Sequence, residues 1–139
     1  MVAVLNVNLV AVLVAAAVQM ALGFLWYSPM LFGNTWMKLV GIKPSDMEKG
    51  KKEMPKSAGL GFLAAVVMTF ILAQVIGFMQ AATLVDGVLA GFWMWLGFVA
   101  TVLAGFVIWE GKPVKLYLIN SGYYLVALLL SSAILVLWK

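Results

Sequence analysis

The sequence predicts an all-α integral membrane protein, a four-helix bundle with a short interfacial helix after its first span. Three observations carry that reading. Of the 139 residues, 65% are hydrophobic and only 10% charged, against globular averages of roughly half and a quarter, and mean hydropathy is +1.11. The apolar residues gather into four uncharged stretches, near 8–27, 58–81, 87–109 and 116–138. Each reaches the roughly 20 residues that cross about 30 Å of hydrocarbon at 1.5 Å per residue. Finally, eight of the nine lysines lie in two of the gaps between those stretches, and arginine is absent.

The stretches must be helical, because lipid offers no partner to free backbone groups and the segments are too long and uniformly apolar for barrel strands. Lys38, Lys43, Lys49, Lys51, Lys52 and Lys56 follow the first, Lys112 and Lys115 follow the third, and the second and third are joined by a turn carrying only Asp86. Under the positive-inside bias both lysine-rich connections are cytoplasmic, which places the N-terminus and C-terminus outside the cell (inner) membrane. Met1 to Val7 holds no basic side chain, so the first span reads as retained rather than as a secretory signal.

The first span ends in Trp26-Tyr27-Ser28-Pro29, two interfacial rings and a residue that breaks the hydrogen-bond ladder. Phe32, Gly33 and Asn34 form a turn, and Thr35 to Val40, with Trp36 and Leu39 apolar, reads as the interfacial helix. Residues 38–56 read as a basic loop holding six lysines against Asp46, Glu48 and Glu53, which attracts anionic lipid headgroups at about 1 kcal/mol per lysine. Ser45 and Glu48 have capping-box spacing, and Gly50 and Pro55 limit any helix starting there. Nucleic acid is not an expected partner, since no aromatic residues interleave with these lysines.

In the second span Ser57, Gly61, Ala65, Thr69, Ala73, Gly77 and Ala81 recur every four residues. Such a small-residue ridge lets another backbone approach closely. The third span repeats the device at Gly87 and Gly91, and again at Gly97, Thr101 and Gly105. Spans two and three are therefore expected to pack together, within one chain or between copies, and a homo-oligomer or a partner membrane protein is expected.

Cysteine and histidine are both absent, which removes disulfides, thiol nucleophiles, imidazole bases and the usual transition-metal ligand sets. No cofactor or metal is expected, and the nine methionines read as gap-filling apolar residues. No ionisable group sits at mid-span, which disfavours a proton-coupled carrier. The amides Gln19, Gln74 and Asn120 must face another helix or a wet cavity, because lipid would strand their donors. Glu110 is poorly placed at the negative end of span three and calls for a partner such as Lys112 or Lys115. Glu110, Lys112, Lys115, Asn120, Tyr123 and Gln74 form the candidate polar site. No nucleophile and base can be paired from spacing, so an enzyme is not the expected reading.

The run Leu22 to Lys38 with its Trp-Tyr-Ser-Pro and Phe-Gly-x-x-Trp blocks, then Trp95 to Thr101, Glu110-Gly111-Lys112-Pro113 and Leu118 to Tyr123, resembles an uncharacterised prokaryotic family of small four-span membrane proteins, domain-of-unknown-function family seventeen sixty-one. The resemblance covers nearly the whole chain. It implies fold and location and transfers no activity. Its motif positions here are Trp26, Tyr27, Ser28, Pro29, Phe32, Gly33, Trp36, Glu110, Gly111, Pro113, Asn120 and Tyr123. It also implies a histidine after the tyrosine of the fourth span, where this chain has Tyr124, so a proton relay or metal role at that position has no carrier here. Two functions compete on this reading: an oligomeric channel, carrier or lipid-binding protein, and an accessory subunit that binds partner helices.

Overall fold

The computed structural model describes residues 4–139. Met1, Val2 and Ala3, part of the uncharged start that argues for a retained first span, lie outside the described residues. Among the described residues the secondary structure is all helical, and four helices are long and apolar enough to cross a membrane.

Helix α1 spans Leu9–Trp26. It begins where it does because the Asn8 side chain accepts from the amides of Val10 and Ala11 at 3.0 and 3.1 Å, pairing two of the free N–H groups of the first turn. At its end the Ser28 hydroxyl donates to the Leu25 carbonyl at 2.6 Å, and the chain reverses through Pro29. The reversal is tight at Gly33, where a Cβ would press into the backbone of Ser28 at 2.7 Å. Only glycine fits there. Helix α2, Gly33–Val40, follows directly and ends at Gly41 in the left-handed conformation, φ 86°.

A 3₁₀ turn at Pro44–Asp46 leads into α3, Met47–Phe78, and here the fold departs from the expected loop. Only residues 41–46 of it are irregular or 3₁₀; residues 38–40 complete α2 and residues 47–56 are helical. The Ser45–Glu48 capping box is not the one formed: Asp46 accepts from the Lys43 amide at 3.1 Å instead. Pro55 lies inside the helix. Its missing N–H is tolerable because residues 47–57 are exposed and solvent can take the freed carbonyl. With 32 residues, α3 is about 48 Å long, so its first third overhangs a hydrocarbon layer of about 30 Å.

The third rod runs from α4, Leu84–Trp95, through a π-helical turn at Leu96–Ala100 into α5, Thr101–Ile108. Thr83 and Asp86 cap it reciprocally, the Thr83 hydroxyl accepting from the Asp86 amide at 3.2 Å and the Asp86 carboxylate from the Thr83 amide at 3.3 Å. Helix α6, Val114–Leu137, starts just after Pro113.

Helix α6 lies against both α1 and α4, and α1 also packs on α3. The expected pairing of spans two and three is not found within the chain, where α3 and α4 touch only marginally. The small-residue ridges are used against other helices. Gly61 faces Met20 of α1, and Thr69, wholly buried, places its hydroxyl 3.1 Å from the Val12 carbonyl of α1 and 2.9 Å from its own Ala65 carbonyl. Ala65 and Ala73 are buried, and Gly77 meets Leu5. Gly87 and Gly91 seat Val136 and Ser132 of α6. Gly97 meets nothing, and Thr101 is exposed. The core joins Ala11, Val12 and Ala15 to Leu72 and Ile76, and to Leu128 and Leu135.

Candidate functional site

The end of α1, helix α2, the overhanging start of α3 and the first turns of α6 enclose an open cleft of about 1090 Å³. Its floor is aromatic and amide. Tyr27 donates its hydroxyl to Asn120 Oδ1 at 2.7 Å, Trp36 stands edge-on to Tyr27 with ring centres 5.4 Å apart, and Tyr124 completes the lining. Since the Asn120 oxygen is taken by Tyr27, the group left to face a ligand is its NH₂, with two donors.

Hydrogen bonds to α6 hold this floor in place. Trp26 Nε1 donates to the Ile119 carbonyl at 3.0 Å and Tyr123, 8% exposed, donates to the Gln19 carbonyl at 2.9 Å. Tyr123 also packs between Tyr27 and Tyr124, at 5.6 and 4.9 Å between ring centres. From the other side of α6, Trp95 Nε1 donates to the Ser121 carbonyl at 2.8 Å. Tyr123 is therefore a support beneath the cleft, and Asn120 and Tyr124 are its surface.

The wall is the overhang of α3. Lys49 and Lys51 line it, with Asp46 and Glu53; Asp46 is already engaged by the Lys43 amide. Four methionines, Met20, Met37, Met47 and Met54, supply flexible apolar surface that adapts to irregular shapes.

The candidate polar site divides. Asn120 lines the cleft and Tyr123 supports it from beneath, whereas Glu110, Lys112 and Lys115 are exposed around the turn before α6 and do not line it. Among the described residues no ion pair joins Glu110 to either lysine, so the expected compensation comes from solvent at an exposed position. Gln74 is elsewhere. Its amide clamps the backbone of Leu5, accepting from the Leu5 N–H at 2.7 Å and donating to the Leu5 carbonyl at 2.9 Å, about 25 Å along α3 from the level of Ser57. Gln19 does not meet Gln74; its Nε2 lies 3.5 Å from the Met68 sulfur, and its Oε1 is buried without a partner, as are the hydroxyls of Ser131 and Ser132.

The sequence marks Lys49 and Lys51 only as part of a basic loop and does not join them, Tyr124 or the methionine lining to Asn120 in one cleft. A signal was present: Met47, Gly50, Met54, Ser57 and Gly61 recur at alternating spacings of three and four, one continuous helical face. Gly50 and Pro55 obscured it.

The model of a family described as "Protein of unknown function (DUF1761)" matches residues 10–136. No curated protein and no solved structure matches the chain. The matched stretch contains every helix but the ends of α1 and α6, together with the whole floor and wall of the cleft, and the chain belongs to the DUF1761 family.

Proposed function

We propose that this is a multi-pass membrane protein that binds an amphiphile with an anionic headgroup in the cleft between α2, the start of α3 and α6, on the cytoplasmic side of the membrane. The observation that carries the reading is the pairing of Tyr27 with Asn120, which turns the free amide N–H groups toward a space walled by Lys49 and Lys51. Neutral donors below and ammonium groups at the rim suit the oxygens of a phosphate or phosphate ester. The position of the lysines supports a cytoplasmic placement. Among the functions compatible with the sequence, lipid binding is favoured over a channel because Gln74, the amide nearest the opposite end, is spent on the Leu5 backbone.

The test is titration of the protein in zwitterionic detergent with a short-chain phosphatidylglycerol, read by the fluorescence of Trp36 and checked against Trp36→Phe. Saturable binding is expected, with short-chain phosphatidylcholine binding more weakly. Asn120→Asp keeps an acceptor for Tyr27 but replaces the NH₂ donors with a carboxylate oxygen, so affinity falls by about tenfold or more while the helical content is retained. Equal binding by Asn120→Asp and the parent chain would refute the assignment of the cleft.

A further inference from the structure

Because α3 and α4 touch only marginally, a second space of about 760 Å³ opens between them. Ala64, Met68 and Leu72 of α3 form one side, Met94 and Phe98 the other, and Leu128 of α6 the floor, with no polar residue in the lining. The two spaces follow each other on all three rods. Ser57 and Ala58 line the cleft and Leu60 the groove; Tyr124 lines the cleft and Leu128, one turn on, the groove; Leu103 lines the cleft and Val99, one turn back, the groove.

We infer that cleft and groove are a single site for one long-chain anionic amphiphile, its headgroup held by Asn120, Lys49 and Lys51 and its hydrocarbon chain laid between α3 and α4. The inference rests on the reading of the cleft given above. Adjacency to the polar cleft selects a lipid chain over a partner helix. From Leu60 to Val75 the groove follows α3 for about 22 Å, and at its Leu60 end it adjoins the cleft lined by Asn120, Lys49 and Lys51, which offers partners to a headgroup that a helix lacks. That length exceeds half of the hydrocarbon layer, about 15 Å, so the occupant is a long chain.

The physics also couples the two halves. A chain leaving bulk lipid for an apolar groove gains no hydrophobic free energy, because both surroundings are hydrocarbon. Residence in the groove must come from packing contacts and from anchoring of the head, and a chain whose head is released has little reason to stay.

The experiment uses the full chain in phosphatidylcholine vesicles containing a small fraction of phosphatidylglycerol whose acyl chain carries a photoreactive diazirine near its end. After illumination the labelled positions are mapped by peptide mass spectrometry. Labelling of Met68, Met94 and Leu128 is expected to exceed that of the lipid-facing Leu13 and Val102 by about tenfold. Ala64→Trp, which fills the groove from an exposed position, should bring the excess down to the lipid-facing level, as should Ile71→Trp. The double variant Lys49→Glu, Lys51→Glu should do so through the head, and Val102→Trp should leave the excess intact. Even labelling around the bundle, or a groove excess indifferent to the lysine reversals, overturns the inference. If short-chain phosphatidylglycerol still binds the cleft in that case, only the groove assignment fails. If it does not bind, the reading of the cleft fails with it.

Discussion

Asn120 shows how a single side chain acquires a direction. An amide within an apolar helix must find partners for an acceptor and two donors; Tyr27 satisfies the acceptor at 2.7 Å and leaves the donors to the cleft. Gln74 is the opposite case, with acceptor and donor both closed on Leu5. The two amides looked alike in sequence because burial of an amide demands a partner without naming it. Gly91 is determined more narrowly. An added Cβ there would lie 2.8 Å from the Leu128 carbonyl and 3.1 Å from Ser132 Cβ, so the contact of α4 with α6 depends on its absence. Gly91→Ala is expected to cost about 1–3 kcal/mol by overpacking, seen as a lower midpoint of thermal unfolding in detergent, whereas Gly97→Ala, which meets nothing, should be close to neutral.

Among the elements, α3 and the α4–α5 rod diverge most from regular expectation. The start of α3 survives a glycine and a proline because its turns are exposed, so that water can complete the ladder. The α4–α5 rod instead carries its irregularity within the apolar stretch, at the π-helical turn Leu96–Ala100, a form that is rare and frequently placed at functional sites. A side chain braces it: Tyr117 donates its hydroxyl to the Ala100 carbonyl at 3.0 Å, at the end of the turn. Tyr117→Phe is expected to destabilise this region by about 0.5–1.5 kcal/mol and to speed amide hydrogen exchange over residues 96–104. Unchanged exchange there would show that the turn holds itself.

At the scale of the whole molecule the orientation remains an expectation drawn from the lysines, and the absence of cysteine makes it easy to check. Lys49→Cys should react with a membrane-impermeant maleimide only in inverted vesicles, and Asp86→Cys only in intact cells; the reverse pattern would move the cleft to the other leaflet. Oligomerisation stands likewise as a proposal. Gly97 and Thr101 lie on a small-residue ridge that no helix of the same chain covers, and close helix approach is what such ridges permit. A mass above that of one chain, 15.1 kDa, is expected after subtraction of bound detergent and lipid, and Gly97→Leu should shift it toward the single chain.

By itself the sequence determined that the chain is all helical and that four stretches are long and apolar enough to span a bilayer, together with the family to which it belongs. These properties are read along one chain, because hydropathy, length and motif order add up residue by residue. Which helix meets which, the length of α3 beyond its apolar part, the separation of Gln74 from Asn120 and the existence of the cleft were decided by tertiary structure. The reason lies in the solvent: a helix in lipid is apolar on every side, so no amphipathic stripe announces its inner face. Partner choice then falls to the fit of small residues against particular neighbours, and that fit exists only once the helices are assembled.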